Sequence, residues 1–290
     1  MKPLFHGCAT ALYTPFKKGA VDYPALEKLL DFQLSHGIDA LVACGTTGEP
    51  STLTYEEWEQ VLSFTVRFAH GRVPVIAGTG GNNTAQVIQL AQRARELGAD
   101  AQLCVTPYYN KTTQEGLIAH YTAIARDGAL PVIIYNVPSR TGLNVLPATL
   151  AVLAKEENII AMKEASANVI QIMDMMRLCG DDIDFYSGSD ELTAPLMAIG
   201  AQGTISVLSN IAPAVMHDMT HGSVSESAAL NKRMLPLINA LFSQVSPIPI
   251  KAAAAMMGLC ENELRLPLVP MEASKMETLK KEMQKAGLIC

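Results

Sequence analysis

A lysine that closes an apolar run is the residue with the most chemistry to offer. In Ile159-Ile160-Ala161-Met162-Lys163-Glu164 the ammonium follows four apolar side chains. Poor solvation of a cation lowers its pKa. An amine attacks a carbonyl only when neutral, so Lys163 is a candidate Schiff-base nucleophile. The same position also suits a strand-end lysine paired with Glu164. A second segment, Tyr135-Asn136-Val137-Pro138-Ser139-Arg140-Thr141-Gly142, offers a phenol able to pass a proton. Its arginine offers a planar fork for a carboxylate. A third, Gly45-Thr46-Thr47-Gly48-Glu49, is a turn of small residues. Its backbone N–H groups and two hydroxyls can hold a carboxylate or phosphate, or it is a plain Gly/Thr turn. Pro107-Tyr108-Tyr109-Asn110 adds two phenols.

Two other patterns carry less. Gly78-Thr79-Gly80-Gly81-Asn82-Asn83 lacks the third glycine that a dinucleotide loop requires. His217 and His221 have the i, i+4 spacing of metal ligands, but the glutamate of the zincin pattern is missing and no third ligand stands out. No metal site is therefore expected. Cys8, Cys44, Cys104, Cys179, Cys260 and Cys290 have no CxxC spacing and read as buried, reduced thiols.

Catalytic groups need a frame. Apolar runs at 7–12, 40–44, 73–77, 101–106, 132–135, 159–162, 184–187 and 204–208 are mostly continuous rather than alternating, as in strands buried on both faces of a parallel sheet. Amphipathic stretches lie between them, with start signals at Asp22, Thr54 and Thr84. Eight strands alternating with helices within about 210 residues predict an α/β fold, a (β/α)8 TIM barrel, with an open doubly wound sheet as the alternative. Helical patterns at 225–242, 249–258 and 273–286 predict a C-terminal helical appendage. The barrel is thus assigned to residues 1–224 and the helical region to 225–290.

Composition narrows the classes. With 49% hydrophobic residues in 290, the chain can build a large core. Twenty-two Lys+Arg against 28 Asp+Glu give a net charge of −6 without a dense basic run, so neither nucleic acid nor an anionic membrane surface is an expected partner. Pro3, His6 and Pro15 interrupt any signal-peptide core, and no apolar stretch reaches the roughly 18 residues of a membrane span. A cytoplasmic location is expected.

In their order and separations, the three segments around Thr46, Tyr135 and Lys163 resemble the pyruvate-dependent class I lyase family, and within it the dihydrodipicolinate synthase branch. The resemblance covers essentially the whole chain. It implies that Lys163 condenses with the ketone of pyruvate and that Tyr135 shuttles protons. Thr47 and Tyr109 resemble the other members of a proton relay, Tyr109 entering from a neighbouring subunit. Thr46 and Thr47 resemble the carboxylate-binding turn, and Arg140 the residue that receives the carboxylate of aspartate semialdehyde. Gly188 and Ile205 match substrate-lining positions. No cofactor or metal is implied, and the implied assembly is a homotetramer built as a dimer of dimers. N-acetylneuraminate lyase and 2-keto-3-deoxy sugar-acid aldolases share the fold and the lysine. The neuraminate branch usually carries Ser at the Thr46 position and lacks the arginine of Arg140. A silent keto-acid-binding barrel is a third alternative, opposed by intact Lys163, Tyr135 and Thr47. The resemblance also implies a lysine feedback site, where Asn82 and Tyr108 are retained but Gln86, Tyr55 and Trp58 replace the glutamate and histidines.

Overall fold

Uninterrupted runs of Val, Ile, Ala and Cys can pair on both edges and bury both faces. In a computed structural model, which describes residues 3–290, eight such strands do so: Gly7–Ala11, Ala40–Ala43, Val75–Gly78, Ala101–Val105, Val132–Asn136, Ile159–Glu164, Asp184–Ser187 and Gly203–Ser206. Each is parallel to its neighbours in the chain, and the first pairs with both the second and the eighth. That closure gives the (β/α)8 barrel and removes the open-sheet alternative.

Alternation along the strands sorts the side chains. Ile133, Tyr135 and Ala161 point into the barrel with Leu103, Tyr186 and Ile205. Val132, Ile134 and Met162 point outward, into a second cluster with Leu117, Leu150 and Met175 of the surrounding helices. Lys163 lies two residues beyond Ala161, so the period of two carries it to the inner face.

The helices start where capping residues stand. Thr54 and Glu57 form a reciprocal capping box at Tyr55–Ala69, and Asp22 caps Tyr23–Ser35. Asn83 rather than Thr84 caps Thr84–Glu96, because the Asn83 side chain accepts from Gln86 N–H.

Several boundaries differ from the sequence reading for identifiable reasons. The third strand starts at Val75 rather than residue 73, since Pro74 has no N–H for the ladder. The eighth ends at Ser206 because Asp190 Oδ2 takes the N–H groups of Val207 and Leu208, at 3.1 and 2.9 Å. A hairpin of Phe16–Lys17 and Ala20–Val21 was too short to show as an apolar run. A helix, Pro213–His221, follows the eighth strand before the C-terminal helices begin.

The C-terminal helices are Val224–Leu241, Ile248–Met256 and Ala273–Lys285. Their Leu237, Ile250 and Leu279 share one hydrophobic cluster with Leu26 and Leu62 of the first two barrel helices. Cys8, Cys44, Cys104 and Cys179 are buried, whereas Cys260 is half-buried and Cys290 exposed, so burial of all six fails at the end of the chain. Among the described residues no helix is long and apolar enough to cross a membrane.

Candidate active site

Parallel strands all deliver their C-terminal ends to one mouth, and the candidate residues gather there. Tyr135 and Lys163 are direct partners across the fifth and sixth strands. Lys163 Nζ stands 4.3 Å from the centroid of the Tyr135 ring. Both side chains are buried. Lys163 also lies opposite Tyr186 of the seventh strand.

Glu164 does not pair with Lys163. As the next residue on a strand it faces the other way, where it accepts from Asn136 Nδ2 at 3.0 Å and from Ser166 N–H at 2.6 Å. Asn136 Oδ1 in turn accepts from Val145 N–H at 3.0 Å. The ion-pair alternative for Lys163 is therefore replaced by a hydrogen-bonded frame that fixes the ends of the two strands.

Burial lowers the Lys163 pKa from 10.5 to about 8; Asp190 opposes that shift and Arg140 adds to it. The cost of stripping water from the ammonium outweighs the attraction of the buried carboxylate. Tyr135 is shifted upward by burial, although Arg140 pulls the other way, so its phenol keeps its proton. A neutral amine beside a protonated phenol is a nucleophile with a proton donor in place. At neutral pH the shift to about 8 raises the neutral fraction of the amine about 300-fold over an unperturbed lysine. Imine formation is accordingly expected to accelerate close to tenfold per pH unit below pH 7 and to level off above about 8, measured as the initial rate of pyruvate adduct formation. A rise continuing to pH 10 would assign the reaction to a solvated lysine.

Gly188 follows the seventh strand and makes room for the Lys163 side chain. A Cβ there would lie 3.0 Å from Lys163 Cε and 2.8 Å from Ala165 Cβ. Ile205 is fully buried on the inner barrel face. The turn Thr46–Gly48 follows the second strand, with Thr46 exposed and Thr47 buried. The opening N–H groups of a helical turn have no acceptor within it, which leaves those of Thr46 and Thr47 available to an anion.

The turn is anchored from behind. Its C-cap, Glu49, sits in the left-handed region at φ 54°. Glu49 Oε1 accepts from Lys251 Nζ at 2.6 Å and Oε2 from Arg265 N–H at 3.1 Å. Lys251 and Arg265 belong to the C-terminal region, so that region holds the turn.

Thr46, Tyr135 and Arg140 line a cavity of about 580 Å³. Arg140 donates to Ser246 O at 3.3 Å from the short helix Pro138–Thr141. Lys163, Thr47, Gly188 and Ile205 do not line this cavity. Tyr135 belongs both to the cavity wall and to the barrel interior that holds Ile205, and its ring stacks against Lys163. Tyr109 stays apart: it is 92% exposed, with φ 67°, and does not reach this site. Gln86, Tyr55, Trp58, Asn82 and Tyr108 line the outer part of the same cavity, and Trp58 Nε1 donates to Gly78 O.

Sequence reasoning missed Asp190 and Ser246. Asp190 is buried and stands next to the amine electrostatically; the only sequence signal was its place two residues beyond Gly188 at a strand end. Ser246 gave no signal, because its carbonyl does the work. The reading that no third ligand accompanies His217 and His221 also fails, since Asp39 lies beside both.

Comparison with known proteins gives a consistent result. A model of the Dihydrodipicolinate synthetase family matches residues 4–286. The 4-hydroxy-tetrahydrodipicolinate synthase of Geobacter metallireducens is 49% identical across 99% of this chain and 100% of its own. That of Geobacter sulfurreducens is 49% identical across 97% and 99%. The solved dihydrodipicolinate synthase of Thermotoga maritima superposes with a TM-score of 0.97 at 42% identity, covering 99% of this chain and 100% of that one.

Proposed function

Since the chain belongs to the dihydrodipicolinate synthetase family, we propose a division of labour among its residues for that family's reaction. The enzyme is a lyase of the class I aldolase type, a 4-hydroxy-tetrahydrodipicolinate synthase in diaminopimelate and lysine biosynthesis. It condenses pyruvate with L-aspartate 4-semialdehyde, with net loss of one water.

Lys163 attacks the keto carbon of pyruvate while the N–H groups of Thr46 and Thr47 hold the carboxylate. Tyr135, its proton retained by burial, delivers that proton to the departing oxygen, and water leaves as the imine forms. Loss of a methyl proton then gives an enamine, the lysine nitrogen acting as electron sink. The enamine carbon attacks the aldehyde of the second substrate, whose carboxylate pairs with Arg140. The amine of that substrate next attacks the imine carbon, closing the ring and releasing Lys163. Thr47 completes a proton relay with Tyr135 and with Tyr109 of a second subunit, while Gly188 and Ile205 shape the pyruvate pocket. The observation that carries this reading is the buried Lys163 amine, its pKa lowered to about 8, stacked on Tyr135 at the barrel mouth.

A homotetramer, a dimer of dimers, is part of the same reading. Tyr109, Ile170 and Met173 are exposed apolar side chains that association would cover. Sedimentation of the purified chain tests it: a monomer would leave Tyr109 with no site to enter. The reading also places the chain in the cytoplasm, where its free cysteines stay reduced.

Arg140→Ala is expected to raise KM for aspartate semialdehyde about 10- to 100-fold and to leave that for pyruvate nearly unchanged, since one charge-assisted contact is worth about 1.5–3 kcal/mol. Equal losses for both substrates would make Arg140 a structural residue. Free lysine is expected to inhibit weakly, because Gln86 cannot neutralise an ammonium and a cation–π contact with Trp58, worth about 0.5–2 kcal/mol, does not replace an ion pair. Half-inhibition at submillimolar lysine in a steady-state assay would contradict this.

A further inference from the structure

The pole of the barrel opposite the active site carries a cluster that the reaction does not use. Asp39 immediately precedes the second strand, and His217 and His221 lie one turn apart on Pro213–His221, the helix after the eighth strand. One candidate ligand atom from each of the three lies within 4.8 Å of the other two. Asp39 Oδ1 and His221 Nε2 are 3.4 Å apart. Zinc–ligand bonds of about 2.0–2.2 Å set a tetrahedral edge at roughly 3.3–3.5 Å, so this pair already has the required separation.

The surrounding contacts orient two of the donors, Asp39 and His221. Asp39 Oδ2 accepts from Cys8 N–H at 2.8 Å, which leaves Oδ1 directed at His221. His221 Nδ1 lies 3.0 Å from His217 O, and a proton donated there leaves the Nε2 lone pair free on the Asp39 side. Backbone support of this kind, on the nitrogen remote from the metal, is what ligating histidines use. Gly7 forms the floor: a Cβ there would lie 2.2 Å from Asp39 Oδ2 and 2.5 Å from His221 Cε1. His217 Nδ1 is buried with no hydrogen-bond partner among the described residues.

We propose that Asp39, His217 and His221 bind one divalent first-row transition ion, with zinc as the favoured metal, at the N-terminal pole of the barrel. Two imidazoles and one carboxylate suit such ions and not magnesium or calcium, which take mainly oxygen donors. The ion would tie the helix after the eighth strand to the start of the second strand.

The test uses the full chain with Cys290→Ser, so that the exposed thiol cannot contribute. After chelator treatment and desalting, ZnCl2 is titrated by calorimetry and CoCl2 by visible absorption. One zinc per chain with a Kd of about 10 μM or tighter, a cobalt spectrum of tetrahedral intensity, and a Tm rise of about 3–6 °C at hundredfold excess over Kd are expected. His221→Gln and Asp39→Asn should each weaken zinc at least 30-fold without changing synthase turnover. No saturable binding, or binding unchanged by His221→Gln, overturns the proposal. Should Asp39→Asn fail to fold for want of its Cys8 contact, His221→Gln decides alone, since that side chain is largely outside the core.

Discussion

Lys163→Met is expected to lower kcat on the order of 10⁴-fold or more, the scale seen when a covalent nucleophile is removed, while thermal stability holds or rises. The two directions follow from one fact. Burial lowers the Lys163 pKa to about 8 in the folded chain, against 10.5 for a solvated lysine. Below pH 8 the native state must therefore hold a poorly solvated ammonium, or give up a proton that the unfolded chain keeps, and either way it loses stability. Methionine fills similar space without that cost. Steady-state turnover and a melting curve on the same sample check both halves. A variant that loses turnover because it unfolds would make Lys163 a structural residue.

Lys251→Met is expected to do the opposite: to destabilise the chain by about 3–5 kcal/mol, or roughly 5–10 °C in Tm, and to raise KM for pyruvate. Lys251 and Glu49 are almost wholly buried, at 0% and 1% side-chain exposure, and face each other at 2.6 Å. Lys251 Nζ also sits 4.0 Å from the centroid of the Phe16 ring. Removing the ammonium leaves the Glu49 carboxylate buried with only the Arg265 N–H. Glu49 caps the turn Thr46–Gly48, so its unrest passes directly to the turn proposed to hold the pyruvate carboxylate. Adding Glu49→Gln to Lys251→Met should recover part of the lost stability, because the orphaned charge goes with it. Melting curves of both variants, with pyruvate KM, test the arrangement; a Tm within 1 °C of wild type for Lys251→Met would mean that the Lys251–Glu49 pair does not anchor the turn.

What the sequence disclosed was local, and what it hid was distant. Lys163 stood out because a charge after four apolar residues is conspicuous, and alternation along Ile159–Glu164 carries it inward. The eight apolar runs gave the barrel for the same reason. Gly188 has no chemistry of its own to read; only the family resemblance pointed to it, and the physical reason, a Lys163 Cε at 3.0 Å from its Cβ position, needs three dimensions. The Lys251–Glu49 pair joins positions 202 apart in sequence. Nothing near Lys251 marks its partner. Asp39 was overlooked beside His217 and His221 because no spacing rule links the start of the second strand to the last barrel helix. The same holds for Asp190, whose effect on the amine works between the ends of two neighbouring strands rather than along the chain.

Lys163 is expected to form an imine with pyruvate. The wild-type enzyme is incubated with pyruvate at pH 8, reduced with borohydride, and digested for mass spectrometry. One reduced pyruvyl group per chain is expected, on the peptide containing Lys163 and on no other, with labelling lost in Lys163→Met. An unmodified Lys163, or label spread over surface lysines with the variant labelled equally, would contradict it.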